Sequence, residues 1–157
     1  MYNNINNFHF DGTIEMTENI EVTDPCYDKD VWCRLNVKNC VPGTYQCYNN
    51  FDPDERRIMQ SMIIHQDFVE DFLNTKEKEI GSIGVDAGLA GFFKNKPNFS
   101  DEAWQKFCLN VMWKVGNFYS EKESKGYFTE SGYGDGVYPV YAHVKNNKVF
   151  ALRIDFR

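Results

Sequence analysis

Three aspartates stand where the backbone has to bend: Asp24 before Pro25, Asp86 before Ala87-Gly88, and Asp135 between Gly134 and Gly136. Carboxylates at such places do one of three things. They accept hydrogen bonds from the N–H groups of their own turn, the commonest chemistry of Asp there. If they converge, they hold Mg²⁺ or divide into a general acid and a general base, which would make the chain a small hydrolase or a metal-dependent enzyme. Otherwise they contact a ligand. Asp24 is expected to accept N–H groups beyond its turn. Asp135 is expected to point at a ligand or at the N–H groups of its own loop, and turn chemistry favours the loop. Gly134 and Gly136, on either side of it, are both expected to take backbone angles that a Cβ would penalise. Tyr133, Tyr138 and Tyr141 surround this loop in sequence, and an aromatic cage of the three would stack a nucleotide base. The candidate ligand-binding residues are therefore Asp24, Tyr27, Asp86, Tyr133, Asp135, Tyr138 and Tyr141. Cys26 with His65 is a further nucleophile–base option, although a lone His is more often a satisfied or exposed side chain.

The cysteines carry a weaker signal. Cys26, Cys33, Cys40 and Cys47 are equally spaced, and Cys108 stands apart. Zinc sites bring their ligands in closer pairs, and in a strand a separation of seven places side chains on opposite faces. Reduced, mostly buried thiols are expected, with no metal and no cofactor. The G-x4-G-K-[ST] phosphate loop is absent.

Those residues need a scaffold, and the composition supplies one. The chain has 157 residues, of which 42% are hydrophobic and 16% aromatic, enough for one domain (1–157) with a proper core. The net charge of −6 argues against a general nucleic-acid binder, which neutralises phosphates with Lys and Arg. No apolar run is long enough for a membrane span, and the N-terminus lacks the basic start and apolar core of a signal peptide. A cytoplasmic protein is expected.

Along the chain, Phe8–Phe10 and Ile20–Thr23 alternate as short strands, with Asp11-Gly12 as a turn between them and His9 on the polar face. Leu35–Val37 and Thr44–Tyr48 flank Val41-Pro42-Gly43 and predict a strand–turn–strand unit. The run from Arg57 to Phe68 reads as strand, and Val69–Lys78 as a solvated connection. The small residues of Ile80–Phe93 let two backbones approach closely. Ser100–Val115 is the clearest helix, capped by Ser100 and packing through Trp104, Phe107 and Val111, with Trp113 off its apolar stripe. Tyr119–Lys125 reads as a charged loop. Asn146-Asn147 is a two-residue turn candidate. After it, Val149, Ala151, Arg153 and Asp155 face one way, and Phe150, Leu152, Ile154 and Phe156 the other. The expected class is α+β: a β-rich domain, mostly antiparallel sheet, with one main helix at about 100–115 and a C-terminal β-hairpin.

Three landmarks occur together: Asp24-Pro25-Cys26-Tyr27 with Trp32-Cys33 and Pro42-Gly43-Thr44-Tyr45; Gly84-Val85-Asp86-Ala87-Gly88-Leu89-Ala90-Gly91; and Ser131-Gly132-Tyr133-Gly134-Asp135-Gly136 with Tyr138-Pro139. In this combination the chain, over residues 20–156, resembles an uncharacterised family of small bacterial and phage proteins, a domain of unknown function. The resemblance implies a cytoplasmic protein of phages or mobile elements and transfers no catalytic role. With no nucleophile–base pattern, a non-enzymatic binding protein is expected, one that captures a host protein or a small signalling ligand such as a nucleotide. The alternatives are the Asp24, Asp86 and Asp135 enzyme and a toxin-immunity-type partner.

Overall fold

The computed structural model describes residues 5–26, 33–96, 106, 118–121 and 123–157. Two antiparallel sheets dominate it. The first has six strands in the order β1-β4-β5-β11-β10-β6, built from β1 (His9–Met16), β4 (Gly43–Asp52), β5 (Arg57–His65), β11 (Lys148–Asp155), β10 (Gly136–Lys145) and β6 (Lys78–Val85). The second has five in the order β3-β2-β7-β9-β8, built from β3 (Arg34–Val37), β2 (Ile20–Thr23), β7 (Leu89–Lys94), β9 (Ser124–Glu130) and β8 (Phe118–Glu121). Among the described residues, none forms a helix long and apolar enough to cross a membrane.

Alternation explains how the sheets face each other. Ile14 and Met16 of β1, Tyr45 and Cys47 of β4, Ile63 of β5, and Leu152 and Ile154 of β11 meet Val22 of β2, Phe92 of β7 and Tyr127 of β9 in one core cluster. Apolar burial of this kind stabilises by roughly 25 cal/mol for each Å² removed from water. The strands approach closely where the small residues allow it. A Cβ on Gly91 of β7 would lie 2.1 Å from the Tyr127 carbonyl oxygen of β9. The two flanks of the sandwich carry their own apolar clusters. Cys26, Leu89, Phe93, Tyr119 and Phe128 form one; Tyr48, Met62, Ile64, Phe72, Phe150 and Ala151 form the other. Cys26, Cys33, Cys40 and Cys47 are all buried, and none is in a disulfide.

Several local expectations change. Asp11-Gly12 is a β-bulge inside β1, where the register against β4 shifts between Phe10 and Gly12, and no turn occurs there. β3 and β4 do not pair: β3 joins β2 in the second sheet, so Val41-Pro42-Gly43 carries the chain from one sheet to the other. The solvated connection contains a helix, α1 (Val69–Asn74), because Phe72 is buried while the residues around it face water. The Tyr119–Lys125 loop is instead the antiparallel pair β8–β9, with Tyr119 opposite Gly126 and its charged positions near the turn.

Phe150 is the clearest correction. β10 and β11 pair across Asn146 and Asn147, both with positive φ (52° and 64°). The register then runs His143↔Ala151 and Val144↔Val149, which leaves Phe150 without an opposite residue. A bulge brings neighbouring residues to one side. Phe150 thus joins Ala151 on the flank instead of Leu152 in the core. The 100–115 helix, with Trp104, Phe107, Val111 and Trp113, lies outside the described residues except for Lys106, which is helical. Tyr27, Trp32 and Cys108 also lie outside them.

Candidate functional site

Asp24 follows β2 directly and is fully buried. Its Oδ1 accepts the Cys26 N–H at 3.0 Å, and its Oδ2 accepts those of Asp86 and Ala87 at 2.9 and 2.8 Å. The residue that turns the chain after β2 thus also staples the β6–β7 turn, 62 residues further on. Burial pushes the Asp24 carboxyl pKa up, the three N–H donors pull it down, and the Asp86 charge adds to the rise; burial prevails and the value is raised. A carboxylate offers about four lone-pair directions, and here three are taken by the scaffold.

The stapled turn meets the glycine loop, where the Ser131 N–H donates to the Gly88 carbonyl at 3.0 Å. Between them lies a cleft of about 300 Å³ lined by Ala87, Gly88, Leu89, Glu130, Ser131, Gly132 and Gly134. Gly132 (φ 66°) and Gly134 (φ 88°) take left-handed backbone. That turns both carbonyls onto side-chain donors. Arg57 Nη1 donates to Gly132 O at 2.7 Å, and the Ser131 and Tyr138 hydroxyls donate to Gly134 O at 2.7 and 2.8 Å. Gly136 does not share this conformation: it is the first residue of β10 and pairs with Val85.

The three tyrosines do not form a cage. Tyr138 is buried in the inter-sheet core, its ring edge-on to Phe156 at 5.2 Å between centroids. Tyr141, opposite Arg153 on β11, lies with its ring 4.4 Å from that guanidinium on the outer face of the sheet. Tyr133 is exposed, carries the Arg57 guanidinium 4.7 Å from its ring centroid, and donates its hydroxyl to Glu55. This couples the glycine loop to the tip of the β4–β5 hairpin.

The three aspartates come together only in part. Asp24 and Asp86 are neighbours through the staple. Asp135 is exposed, and among the described residues no amide of its loop donates to it, against the expectation from turn chemistry. Its charge is felt at Tyr138, whose phenol pKa is raised by burial first and by Asp135 next. No three His, Cys, Asp or Glu side chains among the described residues are grouped to hold a metal ion. Cys26 and His65 are not partners either. Cys26 belongs to the cluster with Leu89, Phe93 and Phe128. His65 accepts the Asp67 N–H at Nδ1 (3.1 Å), which leaves Nε2 to donate to the Pro42 carbonyl (2.9 Å).

A second polar constellation lies on the outer face of the six-stranded sheet. Arg153 grips Glu77 through Nε (3.1 Å) and Nη2 (2.6 Å) and donates from Nη1 to Asp155 (3.1 Å). Asp155 also accepts Arg157 at its backbone N–H (3.0 Å), Nε (3.2 Å) and Nη2 (3.1 Å). With its amide oxygen turned inward, Gln60 accepts from Arg157 at 2.7 Å and from Arg153 at 3.1 Å. Burial raises the Asp155 carboxyl, but the hydrogen bonds from Arg157 and Arg153 outweigh it and hold the pKa below the usual carboxylate value. The one signal in the sequence was the shared facing of Arg153 and Asp155 on β11; nothing marked Glu77.

Protein-family models, curated proteins and solved structures were all compared with the chain, and none matches it.

Proposed function

We propose that this chain is a non-enzymatic binding protein that takes a small signalling ligand, such as a nucleotide, in the cleft between the Asp86–Leu89 turn and the Ser131–Gly134 loop. The cleft itself carries this reading: two glycine-bearing loops meet there across the Ser131–Gly88 hydrogen bond. Its volume of about 300 Å³ suits a small ligand, at the lower end of the roughly 300–1,000 Å³ of ligand pockets. Tyr133, exposed on the same loop, offers a ring for stacking. A concave site favours a small molecule over a flat protein partner. The hydrolase alternative gains nothing from Asp24, whose oxygens serve three backbone N–H groups.

Isothermal titration against a panel of cyclic mononucleotides, cyclic dinucleotides and nucleoside triphosphates tests the proposal. Gly134→Asn serves as the control: Asn tolerates a left-handed backbone, and nothing lies within 4 Å of a Cβ built at Gly134. Gly134 lines the cleft, so a side chain there adds bulk at its wall without a clash, at the cost of a left-handed backbone. Saturable heat with wild type that disappears in Gly134→Asn is the expected result. No heat from any nucleotide, together with capture of a host protein that Gly134→Asn leaves intact, overturns it.

A further inference from the structure

The chain leaves β5 and crosses β11 and β10 before returning as the edge strand β6, and residues 66–77 make that crossing over the outer face of the sheet. His143 of β10 lies underneath, its side chain 2% exposed. Its ring meets three residues of the crossing segment, which also holds the sheet through Phe68, stacked on Phe150, and Asp71, paired with Lys145. Phe72 is 4.5 Å away between ring centroids, Thr75 Oγ1 is 2.9 Å from Nδ1, and Glu77 Oε2 is 3.9 Å from Nε2.

The protons on this path can be placed. The single Thr75 hydroxyl proton goes to the Asp71 carbonyl at 2.8 Å. The hydrogen between Thr75 and His143 therefore belongs to Nδ1. Nε2 is left as a bare lone pair, buried and without a hydrogen-bond partner. A second proton has only Nε2 to go to.

We propose that residues 66–77 form a proton-gated strap: it stays seated on neutral His143, and a proton on Nε2, which leaves the bond from Nδ1 to Thr75 in place but adds a buried charge beneath the strap, releases it. The charges around the ring are already balanced. Arg153 and Arg157 face Glu77 and Asp155, and beyond Thr75 the Lys145 ammonium lies 2.6 Å from Asp71. An imidazolium adds one uncompensated charge, which is costly in a buried setting. Glu77 cannot turn to it without loosening its two bonds to Arg153. Lifting the strap admits water, solvates the imidazolium, and uncovers the apolar flank around Met62, Ile64 and Phe150. Burial lowers the His143 pKa from 6.5 to about 4; Glu77 opposes this and Arg153 adds to it. A depressed folded-state value means that the strap is held at full strength above pH 6.5 and that this hold is lost as the pH falls toward about 4. With a solvated ring in the open state, those values raise the opening equilibrium about thirtyfold between about pH 7.5 and about pH 5.

Hydrogen exchange, corrected for the intrinsic pH dependence of amide chemistry, tests this in the full chain. Between about pH 7.5 and about pH 5 the expected result is a loss of protection of about thirtyfold across residues 66–77, with β5 and β11 unchanged; at lower pH the opening equilibrium levels off with a midpoint that follows the His143 ring titration seen by NMR. His143→Gln, which keeps a donor for Thr75 and does not titrate, is expected to make strap protection independent of pH. If that variant fails to fold, the coincidence of the two wild-type midpoints decides. Strap protection that stays flat, falls together with β11, or follows another midpoint overturns the proposal. So does the same pH dependence in a folded His143→Gln.

Discussion

Replacing Asp24 by Asn keeps the shape of the staple and removes half of its function. The carboxylate presents oxygen in two directions, to Cys26 on one side and to Asp86 and Ala87 on the other. An amide presents one oxygen and one NH₂. With its oxygen toward Asp86 and Ala87, its NH₂ faces the Cys26 N–H, donor against donor. A buried donor left unpaired costs about 1–3 kcal/mol. Part of that is recovered, because the buried charge carries the desolvation cost that raises the Asp24 pKa. The net expectation is a loss of about 1–2 kcal/mol at neutral pH, or about 2–8 °C in Tm for a chain of this size. Asp24→Ala leaves all three N–H groups unpaired and should cost about 3 kcal/mol or more. Urea denaturation is the assay, with the midpoint shifted and the m-value unchanged. Were Asp24→Asn as stable as wild type or more so, the staple argument would fail. The carboxylate would then be a charge kept at the expense of stability, as in a ligand-contacting group.

The glycine loop separates conformation from crowding. Gly134→Ala pays only for left-handed backbone, about 1–2 kcal/mol. Gly132→Ala adds a Cβ 2.2 Å from the Ile58 carbonyl oxygen, so its thermal unfolding should come clearly earlier than that of Gly134→Ala. Asp135→Asn, at an exposed position, should change stability by about 0.5 kcal/mol or less, as measured by the same urea titration. Burial pushes the Cys40 thiol up to about 12 and Cys47 higher still. Native protein at about pH 8 should therefore leave both unmodified by a disulfide reagent over minutes, whereas unfolding without reductant should release them.

What could be read in the sequence was what depends on near neighbours. Alternation found β2 and β11, dense Ile and Met between two turns pointed to β5, and Asp before Pro marked an acceptor of backbone N–H groups. Which N–H groups Asp24 would take was beyond it, since two of them arrive 62 and 63 residues later. Phe150 shows the limit of alternation: the pattern assumes an unbroken register, and one bulge moves a large aromatic ring from core to flank. Asp11-Gly12 fails for a related reason, because a turn and a bulge draw on the same residue types. β8 and β9 were obscured by the charges around Glu121-Lys122-Glu123, although Tyr119 and Tyr127 are both buried. The site was half visible: the two loops were found and do meet, but the aromatic cage dissolved because Tyr138 and Tyr141 lie on opposite faces.

The order of strands in the larger sheet bears on how the chain is made. Lys148–Asp155 lies between β5 and β10, and a ribosome synthesises it after both of them. Until it emerges, those two strands each present a row of unpaired N–H and C=O groups, on β5 beside Met62, Ile63 and Ile64. Open apolar edges of this kind recruit other chains. The six-stranded sheet therefore cannot close in the order of synthesis; β5 and β10 are joined only once residues 148–155 are available. A chain truncated before Lys148 would expose, on β5 and β10, two adhesive edges that β11 covers in the structure.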